Sequence, residues 1–197
     1  MISICFWVCI VGIIMPYLIY PAWLYLLSRL RRVGDPGAAL LPVTFVISAY
    51  NEAAVIAEKI ENTLALDYPK ELLQIVVISD ESDDGTDEIV SRFECVELIR
   101  QSPREGKSAG INTSFEDFRG EVIVFSDANA IYDRESVTQL VRHFDDAKVG
   151  YVVGRQLYRA GDGAAQASEN TYWDFELKLK SWESRLSSVV GLSLIHI

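Results

Sequence analysis

No residue between Ile2 and Leu27 carries a charge. That run exceeds the roughly 20 residues a helix needs to cross the hydrocarbon layer of a bilayer, and it predicts a transmembrane helix over residues 1–28. A secretory leader would show a basic start, a shorter apolar stretch and a small-residue cleavage site, and none of these is visible before Leu27. Pro16 and Pro21 fall within the run and are expected to kink it, which a membrane helix tolerates where neighbours satisfy the freed backbone groups. Arg29, Arg31 and Arg32 follow at once. An excess of Arg on one flank assigns that flank to the cytoplasm, so the rest of the chain is expected on the cytoplasmic face of the cell (inner) membrane. The competing reading, an apolar hairpin inside a soluble fold, asks for a longer charge-free run than soluble cores usually hold.

The formal net charge of −10 is unevenly spread: the first 42 residues hold three Arg against Asp35, leaving 15 basic and 27 acidic side chains beyond them. A surface that acidic argues against a nucleic-acid partner. It does not argue against a nucleotide, provided a divalent cation stands between carboxylate and phosphate. The three cysteines form no disulfide framework, with Cys5 and Cys9 in the apolar run and Cys95 alone beyond it. At 197 residues the chain suits one medium domain plus an accessory segment.

Gly and Pro punctuate residues 29–42, a basic juxtamembrane linker, and a domain is expected from Val43. Four short Val- and Ile-rich runs follow, at 43–48, 74–79, 96–100 and 121–126, each in the pattern of a strand buried on both faces. Between them Ile56, Ile60 and Leu64 fall at helical spacing. Thr86 is placed to cap a helix carrying Ile89, Val90 and Phe93, and a further apolar stripe spans Ser136 to Phe144. Strands alternating with helices imply an α/β domain with a mainly parallel sheet. Near the end Tyr172, Phe175, Leu179, Trp182 and Leu186 recur at steps of three and four, one face of a helix that packs on the sheet or the membrane surface.

In such a sheet ligands bind where the strands end, and the polar residues of this chain collect there. The first strand ends in Tyr50, Asn51 and Glu52, the second in Asp80 with Asp83 and Asp84 close behind, and the fourth in Asp127 and Asn129. Asp83, Asp84 and Asp87 have an ordinary explanation as turn and cap residues. Asp80 and Asp127 differ, because each directly continues an apolar strand, where an unpaired charge is costly unless a cation or donor meets it. Carboxylates gathered from separate strands suit Mg²⁺ or Mn²⁺, which take one or two carboxylates and leave positions for diphosphate oxygens. Asn129 adds a neutral oxygen. The segment "SPREGKSAGIN" supplies Gly106, Lys107 and Gly110, yet its spacing is neither that of a P-loop nor that of a dinucleotide fingerprint.

In this order the elements resemble the family 2 glycosyltransferases, membrane-associated enzymes with a GT-A fold, over about 43–191. The resemblance implies that Tyr50, Asn51 and Glu52 line a nucleotide pocket and that Asp80 holds the uracil or its ribose. It implies further that Gly106, Lys107 and Asn112 flank the nucleotide, and that Asp127 and Asn129, standing as a D-x-D element with its second carboxylate replaced, hold diphosphate and metal. The function implied is an inverting transfer from a UDP-sugar to a polysaccharide or lipid acceptor, in the polysaccharide-making branch. Residues 169–184 look like the segment that follows the nucleotide half in that branch. The acceptor-side Asp that serves the family as general base has no counterpart here, and residues 192–197 continue none of the earlier patterns, so the chain is expected to be the donor-binding, N-terminal part of a larger enzyme. Two rivals stand beside this reading. One is a catalytically inactive, membrane-tethered nucleotide-binding subunit. The other is a nucleotidyltransferase, disfavoured because "SAYNEAAV" occupies the place of its usual Gly-rich basic loop.

Overall fold

The computed structural model describes residues 6, 7, 10–12, 14–30, 37, 38, 40–154 and 164–186, with the backbone alone for 164–174. Arg31, Arg32, Cys5, Cys9 and residues 187–197 lie outside the described residues, as does the side chain of Tyr172.

Four strands form one sheet: β1 (Val43–Ala49), β2 (Leu73–Asp80), β3 (Glu97–Gln101) and β4 (Val122–Asp127), in the order β3-β2-β1-β4. All pairings are parallel. β1 runs against β2 from Val43↔Leu73 to Ala49↔Ser79 and against β4 from Val43↔Val122 to Ser48↔Asp127, while β2 pairs β3 from Val76↔Glu97 to Asp80↔Gln101. The crossovers carry α2 (Ile56–Leu64), α3 (Thr86–Val90) and α4 (Lys107–Thr113), and α5 (Ser136–Val141) follows β4.

Side chains alternate across a strand, so the register divides the core into two layers. Phe45, Ile47, Ile75, Val77, Val122 and Val124 face one side and pack with Ile56 and Ile60 of α2 and Val137 and Val141 of α5. Val46, Val76 and Ile78 face the other, against Ile111 of α4 and Phe118. Gly110 lets α4 approach the sheet: a Cβ there would stand 2.9 Å from Cγ2 of Ile78 and 2.8 Å from Oε1 of Gln101.

The sequence pattern suggested four strands buried on both faces, and only β1 and β2 are. β3 is an edge strand with partly exposed residues, and β4 exposes Phe125. An edge position leaves one flank of the strand without a neighbour, and a run of apolar residues does not reveal which strands take it. Boundaries shift by a residue at β3 and β4. The helix begun by Thr86 stops at Val90, and the stripe expected over Ser136 to Phe144 is α-helical to Val141 and 3₁₀ from Arg142.

A separate compact unit comprises residues Met1–Asp35 and Gln156–Ile197. Within it, residues Ile10–Leu30 are helical, and this helix is long and apolar enough to cross a membrane. It includes a π-helical segment, Met15–Ile19, which absorbs Pro16, and then α1 (Tyr20–Leu30). α1 packs on α6 (Ala164–Leu186): the Tyr20 hydroxyl donates to Glu183 Oε1 at 2.6 Å, and the rings of Tyr25 and Trp182 meet edge to face at 5.3 Å. Trp182 of the predicted apolar stripe thus meets another helix.

Candidate active site

The strand order creates the site. From β1 the chain moves outward to β2 and β3 on one side, then returns to β4 on the other side of β1. Such a reversal opens a crevice beyond the carboxyl ends of the strands, because the loops leaving the two neighbours diverge. Ser48 is opposite both Ile78 and Asp127. With a side-chain period of two, Asp80 and Asp127 therefore emerge on the same face of the sheet, one on each side of β1.

Asp80 is nearly buried, 8% exposed, and its carboxylate organises the loop that follows β3. Its Oδ1 accepts hydrogen bonds from Gln101 Nε2 (2.7 Å) and the Glu105 N–H (3.2 Å), and its Oδ2 accepts from the Gly106 N–H at 3.1 Å. Gly106 adopts φ 90°, a conformation open to glycine, which turns its N–H inward. Arg104 Nε stands 3.4 Å from Oδ2 of the same carboxylate, and its guanidinium carbon lies over the Tyr50 ring, 3.6 Å from the centroid. Glu81 holds the other end of this loop through the Ser102 hydroxyl and the Arg104 N–H, both at 2.9 Å. Tyr50, 41% exposed, thus presents an aromatic face beside an ordered carboxylate and a guanidinium.

Asn51 and Glu52 serve the loop between β1 and α2. Asn51, at φ 53°, accepts from the Asp83 N–H on Oδ1 (3.0 Å) and donates its own N–H to Ser82 Oγ (3.1 Å). The Glu52 N–H donates to Thr86 Oγ1, and the Ala53 N–H to Asp84 Oδ2, both at 2.9 Å. Asp84 is held ionised by hydrogen bonds from Thr86 and the Ala53 N–H, and Asp87 pairs with Arg100. Asp84 does the turn work expected of it, whereas Asp87, expected as a turn or cap residue, pairs with the distant Arg100 instead. The Glu52 carboxyl is pushed above the usual carboxylate range, first by burial and then by the charges of Asp84 and Asp127.

Asp127 ends β4 with its side chain 44% exposed, more open than a strand-terminal acid was expected to be. It lies on the edge strand, where no further described strand shields it. Lys107, the first residue of α4, extends its Nζ to within 2.5 Å of Asp127 Oδ1. The turn that follows is closed by the Ala130 N–H donating to the Asp127 carbonyl (3.3 Å) and presents Asn129 to solvent at its crest. Asn112 is also exposed, about 140° around α4 from Lys107 by helical geometry, and does not join this group.

Among the described residues no three acids or histidines are grouped closely enough to hold a metal by themselves. The donors present are one open carboxylate at Asp127, the Asn129 amide near it and an acid at Glu52 whose ionisation is opposed by its neighbours. That set fits a hard cation that takes one or two protein oxygens and fills its remaining positions with phosphate oxygens and water. An open cavity of about 420 Å³ beside Asp67, Arg134 and Gln139 includes none of these residues.

Several contributors escaped the sequence reading. Nothing in the local pattern singles out Arg104, since its position over Tyr50 depends on a loop between distant strands. Lys59 and Asn62 of α2 reach the turn after Asp127: Lys59 Nζ donates to the Ala130 carbonyl at 2.6 Å, and Asn62 bonds both backbone groups of Tyr132 at 2.9 Å. A signal for Lys59 existed, because position 59 lies on the same helical stripe as Ile56 and Ile60.

Comparison with known proteins identifies the family and the fold. The family model described as "Glycosyl transferase family 2" matches residues 44–191. A probable glycosyltransferase of Bacillus subtilis, YdaM, is 34% identical over 121 residues, covering 57% of this chain and 29% of the relative. The beta-monoglucosyldiacylglycerol synthase of Trichormus variabilis is 29% identical over 175 residues, covering 83% of this chain and 36% of the relative. Among solved structures, the mannosyltransferase PcManGT of Pyrobaculum calidifontis, in complex with GDP-Man and Mn²⁺, superposes with a TM-score of 0.62 at 29% identity, over 71% of this chain and 44% of that one. The chain spans about a third of the length of the curated relatives it matches.

Proposed function

The chain belongs to glycosyl transferase family 2 and has a GT-A fold, and from that premise we propose that its residues 43–154 bind the nucleotide-sugar donor of an inverting, membrane-bound glycosyltransferase. The donor is a UDP-sugar and the acceptor a polysaccharide or lipid. One observation carries this reading: Asp80 and Asp127 flank β1 on the same face of the sheet, so a single extended ligand can touch both.

The base of the nucleotide stacks on Tyr50, in the slot where Arg104 lies in this structure, and Asp80 accepts from its N–H or from a ribose hydroxyl. The diphosphate then reaches across the end of β1 toward Lys107 and Asp127. Asp127 and Asn129 would hold Mg²⁺ or Mn²⁺, a Lewis acid that neutralises charge on the departing diphosphate. Lys107 supplies a fixed ammonium for the same charge. In the transfer the acceptor hydroxyl attacks the anomeric carbon as its proton passes to a base, the bond to the diphosphate oxygen breaks, and the nucleoside diphosphate leaves. None of the described residues is assigned as that base.

Support comes from kind as well as geometry: PcManGT carries a nucleotide-sugar and Mn²⁺, and the Trichormus relative is named for building a glycolipid. The helix Ile10–Leu30, with Arg29 at its end, supports attachment to the cell membrane with the sheet domain on the cytoplasmic side. The test is sugar transfer by the full-length protein from a panel of UDP- and GDP-sugars to membrane extracts. Transfer from a UDP-sugar that is lost in Asp127→Ala supports the proposal, and turnover unaffected by that change refutes it.

A further inference from the structure

Lys59 is fully buried, yet its ammonium meets a carbonyl and two aromatic rings in place of a carboxylate. Nζ lies 5.0 Å from the centroid of Phe45 and 4.1 Å from that of Tyr132, with the Ala130 carbonyl 2.6 Å away. Burying an ammonium is expensive, and a methionine would fill the same space without that cost. What only the ammonium supplies is a hydrogen bond to the backbone three residues beyond Asp127.

Asn62, one helical turn further along α2, repeats the action. Its Nδ2 donates to the Tyr132 carbonyl and its Oδ1 accepts from the Tyr132 N–H. The two side chains therefore hold three backbone groups of the segment Ala130–Tyr132 from beneath, while β1 holds the start of the turn, three residues earlier, through the pairing of Ser48 with Asp127. Phe45 and Tyr132, in edge-to-face contact at 5.2 Å, wall the ammonium off from water.

We propose that Lys59 and Asn62 are positioning residues for the diphosphate end of the donor site: from the buried face of α2 they fix the turn 127–132, and so set where Asp127 and Asn129 meet phosphate and cation. The inference rests on the donor-site reading of Asp127. It also divides the site in two, because Tyr50 and Arg104 belong to the loops after β1 and β3 and Asp80 to the end of β2, none of which this clamp touches.

The test uses calorimetry on the full-length protein with two probes, UDP in the presence of Mn²⁺ and uridine, which lacks the diphosphate. Lys59→Met keeps the apolar stem and removes the donor, and Asn62→Ala removes the second grip. Each is expected to weaken Mn²⁺-dependent UDP binding by about 10- to 100-fold, the range typical of groups that hold a metal ligand in place, while uridine binding is unchanged. Equal losses for both probes would mean a general structural role, and no loss for either would mean no role, so either result overturns the inference. If Lys59→Met does not melt cooperatively, Asn62→Ala decides by the same two outcomes. A wild-type protein that ignores UDP, or an Asp127→Ala variant that binds it as well as wild type, refutes the donor-site reading instead and this inference with it.

Discussion

The ammonium of Lys107 lies 2.5 Å from Oδ1 of Asp127, so the carboxylate proposed for a metal has a cation beside it. Lysine and metal then compete for one acid, whereas lysine and diphosphate attract. Lys107→Met is expected to tighten Mn²⁺ binding by about fivefold, the equivalent of the roughly 1 kcal/mol of a partly exposed pair, and to weaken UDP binding. Titrations of metal alone and of UDP with metal read the two effects, and a change of the same sign in both contradicts the competition.

Asp127 is half open and ends an edge strand, so its removal is cheap for folding. Asp127→Ala is expected to lower kcat by about 10²–10³, as loss of one well-placed group facing transition-state charge does, with stability altered by no more than about 1 kcal/mol, the worth of its partly exposed pair with Lys107. Initial rates and thermal melts on the same preparation check both halves.

Asp80 has the opposite balance. Its carboxylate gathers donors from Gln101, Glu105 and Gly106, so Asp80→Ala leaves inward-facing N–H groups without an acceptor, at about 1–3 kcal/mol. Lower stability together with loss of nucleoside binding is expected in melts and uridine titrations. Tyr50→Ala, by contrast, is expected to weaken uridine by about 1–3 kcal/mol, the worth of an aromatic stacking platform, with stability and Mn²⁺ affinity unchanged.

Burial lowers the Lys59 ammonium from its ordinary 10.5 to about 7, against the opposing pull of Asp127. Between those two values the unfolded chain binds a proton that the folded one does not. Unfolding then takes up a proton, and stability from this residue rises with pH through the window, by up to roughly 1.4 kcal/mol per unit, and is flat below it. Denaturant melts from pH 6 to 10 should show that slope in the wild type and its loss in Lys59→Met. A difference between the two that does not vary with pH contradicts the assignment.

The sheet was legible because β1 and β2 are covered on both faces and read as unbroken Val and Ile runs, while Asp80 and Asp127 stand out as acids that continue such runs. Edge strands were not, since β3 and β4 use the same residue types with one flank open. Asn51 looked like a ligand-facing residue, and the structure gives it a backbone task, because an amide in a left-handed turn is equally suited to bind a neighbouring loop. Lys59, Asn62 and Arg104 act across sequence separations of 71, 70 and 54 residues, on Ala130, Tyr132 and Tyr50, and local pattern carries no trace of such pairings.

The central claim is that the ends of β2 and β4 serve one ligand, and a crystal structure of the full-length protein soaked with UDP and Mn²⁺ tests it most directly. The account predicts the uracil on Tyr50 within hydrogen-bond reach of Asp80, the diphosphate against Lys107, and the anomalous signal of Mn²⁺ within about 2.5 Å of an Asp127 oxygen. Nucleotide bound elsewhere, or Mn²⁺ bound away from Asp127 with UDP present, would contradict it.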